Sequence, residues 1–131
     1  KISEGHAKAL LFPIAWEEPF GLIMTDAMAT VTPVVAYARG SVPEVVVDGV
    51  TGFIVNSSDN DRRGDWIIKK TGIEGLIEAV NKIYTMSSDN YLKMRAACRK
   101  HVEEKFTVER MVDEYEKVYK KIQSLPLKKM L

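Results

Sequence analysis

The segment Trp16-Glu17-Glu18-Pro19-Phe20-Gly21-Leu22-Ile23-Met24-Thr25-Asp26-Ala27-Met28-Ala29 holds the residues best suited to chemistry. An apolar run, Ala9 to Pro13, leads into it. A loop then carries the carboxylates of Glu17 and Glu18, and Gly21 opens a stretch with helical spacing. Amides at a helix start lack intrahelical acceptors, and with the helix dipole they favour a phosphate or diphosphate. Glu18 precedes those amides, and Asp26 lies about one and a half turns beyond Gly21. Acids on both sides of an anion site are out of place for phosphate alone. They fit a ligand that also offers hydroxyls, as a sugar does.

Other reactive residue types are sparse. His6 and His101 stand alone, and Cys98 lies on an apolar helical stripe that reads as core. Two histidines and one cysteine argue against a Cys/His zinc site, so no metal is expected. Arg63-Gly64-Asp65 spells an adhesion tripeptide, but three-letter matches carry little weight. Glu17 reads as a solvated loop charge, and Glu44 after Pro43 as a charge at a helix start.

Several motifs in fixed order give the chain a family resemblance. Glu18, Phe20-Gly21, Asp26 and Ala27-Met28-Ala29 are followed by Pro33-Val34-Val35-Ala36 and Arg39-Gly40-Ser41-Val42-Pro43-Glu44-Val45. Asp48-Gly49-Val50-Thr51-Gly52-Phe53 and Phe106-Thr107-Val108-Glu109-Arg110-Met111 complete the series. Over about Ala9 to Ile122 the chain resembles the C-terminal, donor-binding half of a retaining glycosyltransferase of the GT-B fold, family four (glycosyl transferases group 1). The resemblance implies that Glu18 hydrogen-bonds hydroxyls of the transferred sugar and is the catalytic position. It implies that amides of Phe20, Gly21 and Leu22 hold the diphosphate, and that Asp26 receives the ribose hydroxyls. In such enzymes the acceptor oxygen attacks from the leaving-group side, and the departing diphosphate helps to take the proton. Leaving-group stabilisation then matters more than a side-chain base. Arg39 is a further candidate for contacting donor anion or acceptor.

Three departures from the family pattern stand out. Asp26 replaces the usual Glu and is one methylene shorter. Val31 occupies a position that is usually Gly, and Val suits a positive φ poorly. Ser41 stands where a second Gly is common. The family's diphosphate-neutralising basic residues, its base-contacting strand and its acceptor domain are expected upstream of Lys1.

The elements that must position these residues are an α/β series. Ala9–Pro13, Pro33–Tyr37 and Phe53–Val55 read as buried parallel strands. Gly21–Thr30 reads as a helix packed through Leu22, Ile23, Ala27 and Met28, and Glu44–Val47 as a short helical turn. The expected fold is a Rossmann-like three-layer α/β/α with a parallel sheet and a helical C-terminal part. Residues 56–70 read as a loop with an embedded strand or turn. Thr71-Gly72-Ile73-Glu74 has capping-box spacing, followed by an apolar stripe of Ile73, Leu76, Ile77, Val80, Ile83 and Tyr84. Tyr91, Met94, Cys98, Val102 and Phe106 mark a second helix. Thr107 caps a third, with Met111, Val112, Tyr115, Val118, Tyr119 and Ile122 on one face. The family's final helix packs back toward the other domain.

Length and composition set the frame: 131 residues, 46% hydrophobic, with 19 basic against 18 acidic side chains. That suits one domain, assigned to residues 1–125 with a tail at 126–131 ending the order after Pro126. A net charge of +1 excludes a field-dominated nucleic-acid binder, and no apolar run is long enough to span a membrane. One cysteine excludes an internal disulfide and points to a reducing cytoplasm. The first residue is Lys1 and no signal sequence follows, so the chain reads as a piece of a longer two-domain enzyme. The expected partners are a nucleotide-sugar donor and the missing N-terminal acceptor domain. No nucleic acid is expected, no cofactor is required, and the full enzyme can associate peripherally with a membrane. As a fragment the chain should fold but not transfer a hexosyl group. The alternatives are a nucleotide-binding or assembly module without catalysis and a sugar-nucleotide epimerase-like domain.

Overall fold

The computed structural model describes residues 8–13, 22–106 and 108–124. Three strands, β1 (Leu10–Phe12), β2 (Val34–Tyr37) and β3 (Gly52–Val55), form one sheet in the order β1-β2-β3. Both pairings are parallel, with Leu11 opposite Val35 and Val35 opposite Phe53. Parallel neighbours need crossovers, and helices supply them. These are α1 (Leu22–Ala29) and the short α2 (Val42–Val45). Three longer helices follow: α3 (Gly72–Thr85), α4 (Ser88–Lys105) and α5 (Val108–Gln123).

Strand alternation sends side chains to two cores. Phe12, Val34, Ala36 and Ile54 meet Met24, Ala27 and Met28 of α1 and Val42 and Val45 of α2 on one face. Val35, Phe53 and Val55 meet Leu76, Ala79 and Ile83 of α3 on the other. Helices therefore cover both faces, as an α/β layer requires. α4 leans on α1 and joins both cores, placing Cys98 in the first and Met94 in the second. Gly52 is obligatory for the register: at φ +155°, a Cβ there would collide with the backbone of Val34.

The strands fall where the sequence places them, but two helices are rotated from expectation. On α1, Met24 is buried while Ile23 is half exposed. On α3, Ile73, Ile77 and Tyr84 face outward, and the packed face is Gly75, Leu76, Ala79 and Ile83. Small residues explain the rotation. Gly75 sits so close to the Lys70 carbonyl and the Val55 side chain that any Cβ would clash. Burying that face lets the helix approach the sheet, which outweighs the larger side chains left outside. The short helix α2 begins two residues earlier than expected, at Val42. The Thr71 side chain does not cap α3; its hydroxyl donates to Asp59 at 3.0 Å instead.

Residues 56–71 join β3 to α3 without a strand, apart from one bridge between Ser58 and Asp61. Side chains hold this loop in shape. Buried Asn56 accepts from the Arg63 amide at 2.8 Å and the Trp66 indole at 3.1 Å, and donates to the Gly64 carbonyl at 3.0 Å. Asp48 accepts from the amides of Ile54 and Ile67 at 3.1 and 2.8 Å, and Ile68 fills the second core. The apolar face of α5 is exposed: Val112, Tyr115, Val118, Tyr119 and Ile122 range from 41% to 68% accessible. Thr107, Pro126 and the tail at 126–131 lie outside the described residues.

Candidate functional site

All three strands run in the same direction, so their carboxyl ends share one edge of the sheet. In open parallel α/β sheets that edge is where ligands bind. The chain leaves it after Phe12, Tyr37 and Val55.

Of the expected site residues, Glu18, Phe20 and Gly21 lie outside the described residues. Leu22 begins α1, and Asp26 lies within that helix, half-buried. The helix is anchored at its far end. The Arg99 guanidinium donates to the Ala29 carbonyl at 2.8 Å and that of Arg95 to the Val31 carbonyl at 3.2 Å. Cations at the carbonyl end complement the helix dipole. Val31 itself adopts φ +57°, the left-handed conformation that a family glycine would take freely. A β-branched residue there is strained.

The loop after the middle strand carries Arg39, Gly40 and Ser41. Arg39 reaches toward the loop that follows β3, where it contacts Asp61 at 2.8 Å and Ser57 at 3.2 Å. Asp61 also accepts from Ser57 at 3.2 Å and from Arg63 at 2.9 Å. The Arg63 hydrogen bond holds the Asp61 carboxyl below its ordinary range; partial burial opposes this, and the charge of Arg39 assists it. The cluster pins the loop after β3 to the loop after β2. Ser41 is buried, and its hydroxyl has no hydrogen-bond partner among the described residues.

Other sequence candidates take structural places. His101 Nε2 lies 2.8 Å from the Val45 carbonyl and its ring meets Phe106 edge-on, tying α4 to α2. Burial pushes the Cys98 thiol up to about 12, and its Sγ contacts the Thr51 carbonyl at 3.4 Å. Glu44 is exposed in the first turn of α2. Among the described residues, no three His, Cys, Asp or Glu side chains converge as a metal site. Asn56, Ser57 and Asp61 escaped the sequence reading. The available signal was loop length, since sixteen residues between β3 and α3 exceed an ordinary βα connection.

The fold is that of a Rossmann-like parallel α/β domain, with the carboxyl edge of the sheet as the candidate site. Residues 4–69 match the family model described as glycosyl transferases group 1. The chain belongs to that family. It is 32% identical over 111 residues to an uncharacterized 41.2 kDa protein in the cps region of Klebsiella pneumoniae, covering 85% of this chain and 26% of that one. It is 32% identical over 105 residues to alpha-maltose-1-phosphate synthase of Mycolicibacterium smegmatis, covering 80% and 25%. The chain thus spans about a quarter of the length of the curated relatives it matches. Its fold is similar to that of sucrose-phosphate synthase from Thermosynechococcus elongatus, with a TM-score of 0.71 at 24% identity over 94% of this chain and 27% of that one. It is also similar to a glycosyltransferase from Rickettsia africae, with a TM-score of 0.72 at 20% identity over 95% and 30%. These likenesses fit one half of the GT-B fold.

Proposed function

We propose that the chain is the C-terminal, donor-binding part of a retaining, family-four glycosyltransferase that transfers a hexosyl group from a nucleotide-diphosphate sugar. The observation that carries this reading is α1, which follows the carboxyl end of β1 in a chain of this family and bears Asp26 one turn beyond Leu22. A diphosphate at the helix start and ribose hydroxyls on Asp26 are compatible with that order. Amides of Phe20, Gly21 and Leu22 would stabilise the leaving group as its charge develops, and Glu18 would hold hydroxyls of the transferred sugar. No metal is needed for this arrangement.

The acceptor side belongs to a separate N-terminal domain. The exposed apolar face of α5 supports that assignment, since a stripe of this kind calls for cover by further protein. No helix among the described residues is long and apolar enough to cross a membrane. The cytoplasm is the proposed location.

Calorimetry of the longer enzyme that carries this chain, with uridine, guanosine and adenosine diphosphates, tests the reading. One of them should bind, and Asp26→Asn should weaken it about tenfold, the value of a hydrogen bond to a charged group. Transfer should require the longer enzyme, with the anomeric configuration of the product followed by NMR. Failure of all three nucleotides to bind would overturn the proposal.

A further inference from the structure

The two edges of the sheet are finished differently. In a parallel sheet, alternate residues of a strand direct their amide and carbonyl to opposite sides. On β3, the Thr51 and Val55 carbonyls accept from Val34 and Ala38, so the backbones of Gly52 and Ile54 face away from β2. Both are met. The Gly49 amide donates to the Gly52 carbonyl at 2.8 Å, and the Ile54 amide donates to the Asp48 carboxylate at 3.1 Å. A turn carrying a carboxylate thus closes that edge against further pairing.

Strand β1 has no such closure. The Leu10 amide donates to the Pro33 carbonyl at 2.8 Å, which turns Leu10 and Phe12 toward β2 and the backbone of Leu11 outward. Among the described residues, nothing bonds to the outward amide and carbonyl of Leu11. Side chains repeat the asymmetry. Leu11, Val35 and Phe53 stand in one row across the sheet, on the face that α3 covers. Val35 and Phe53 are 0% and 5% exposed, whereas Leu11 is 49% exposed. The neighbouring flank of α3 is also uncovered: Ile73, Ile77 and Tyr84, set at helical spacing, are each more than half exposed. Tyr84 marks the side, because the Lys8 ammonium just ahead of β1 lies 5.9 Å from its ring centroid.

The open edge and the apolar flank call for the same occupant. An unpaired edge selects a strand. A further parallel strand is reached only through a crossover of about a dozen residues or more, usually a helix. Such a helix needs an apolar seat on one face of the sheet, and Leu11 with the flank of α3 supplies it. The chain spans about a quarter of the length of its curated relatives, which leaves ample sequence for both elements.

We propose that a strand and an apolar-faced helix of the longer polypeptide complete this sheet on the β1 side. The strand pairs in parallel with Leu11, and the helix packs on Leu11, Ile73, Ile77 and Tyr84. The domain then extends past the 131 residues at one edge and stops at the other. A second copy is the weaker occupant, since it offers only the three residues of its own β1 in return. The inference does not depend on nucleotide binding.

Hydrogen exchange followed by NMR on the longer protein, without nucleotide, tests the pairing. The Leu11 amide should exchange at least about a hundredfold more slowly than an unstructured one, as the Val34 amide inside the sheet does. Exchange within about tenfold of the unstructured rate overturns the proposal. Thermal unfolding of the longer protein reads the helix seat separately, with Ile77→Lys set against Asn81→Lys, both at exposed positions of α3. Ile77→Lys should lower the midpoint by several degrees and Asn81→Lys should leave it unchanged. Equal effects of the two substitutions overturn the helix seat. Protection of Leu11 that disappears on dilution to the monomer identifies a second copy as the occupant and overturns the proposal as well.

Discussion

Arg39 and Asp61 leave different strands yet meet at 2.8 Å, with the Ser57 hydroxyl within 3.2 Å of both. The contact joins the loop of the middle strand to the long loop after β3, so two walls of the carboxyl edge move together. The pair is about one-quarter exposed. Its contribution to global stability is therefore small and salt-sensitive. Its effect is on the shape of the edge.

The first prediction concerns acid. The folded pKa of Asp61 lies below its ordinary value near 3.8. A depressed carboxylate contributes stability above the unfolded pKa and loses it as pH falls through the folded one. The β3–α3 loop should stay closed at about pH 5 and loosen only below about 3.8. The indole N–H resonance of Trp66, bonded to Asn56, should report this by NMR. Asp61→Asn should abolish the dependence.

Val31 offers a simple stabilisation. Replacing it with Gly removes the left-handed strain at φ +57° and adds some unfolded-chain entropy. The net gain should be about 1 kcal/mol. Thermal unfolding should show a rise of a few degrees. An unchanged or lowered midpoint would mean that the valine side chain compensates for its backbone.

Asn56 should be the most costly loop residue to lose. Asn56→Ala strands the Trp66 indole and the Arg63 amide and leaves the Gly64 carbonyl without its donor. A loss of about 2–3 kcal/mol is expected from denaturant unfolding. Hydrogen exchange should speed up over residues 56–70 first.

Cys98 should resist alkylation at about pH 8 in the native state and react only after unfolding. Its thiol pKa is raised from 9.0 to about 12 by burial. A raised acid contributes stability below its unfolded pKa and loses it as pH climbs toward the folded value. The domain should therefore weaken as pH rises above about 9. Cys98→Ala should flatten that alkaline limb.

The sheet was legible because β-branched runs bounded by Pro and Gly encode buried parallel strands. Pro33 to Tyr37 and Gly52 to Val55 show this. The rotation of α3 was not, because counting apolar residues favours Ile73 and Ile77 over Gly75 and Ala79. What decides the packed face is how close the backbone can come. The capping spacing of Thr71 and Glu74 missed the competing acceptor on Asp59, which only the folded loop supplies. At the site, residue types drew attention to Asp26 and Arg39. The pairing of Arg39 with Asp61, and the unsatisfied hydroxyl of Ser41, depend on chain segments meeting across the sheet edge, which local pattern does not encode.

The two arginines of α4 that grip the Ala29 and Val31 carbonyls give α1 a backstop. A ligand pulling on the front of that helix would load both guanidinium contacts in series, with α4 as the rigid strut behind them. A reporter group placed beside Arg99 would then register events at the opposite end of α1 without obstructing them.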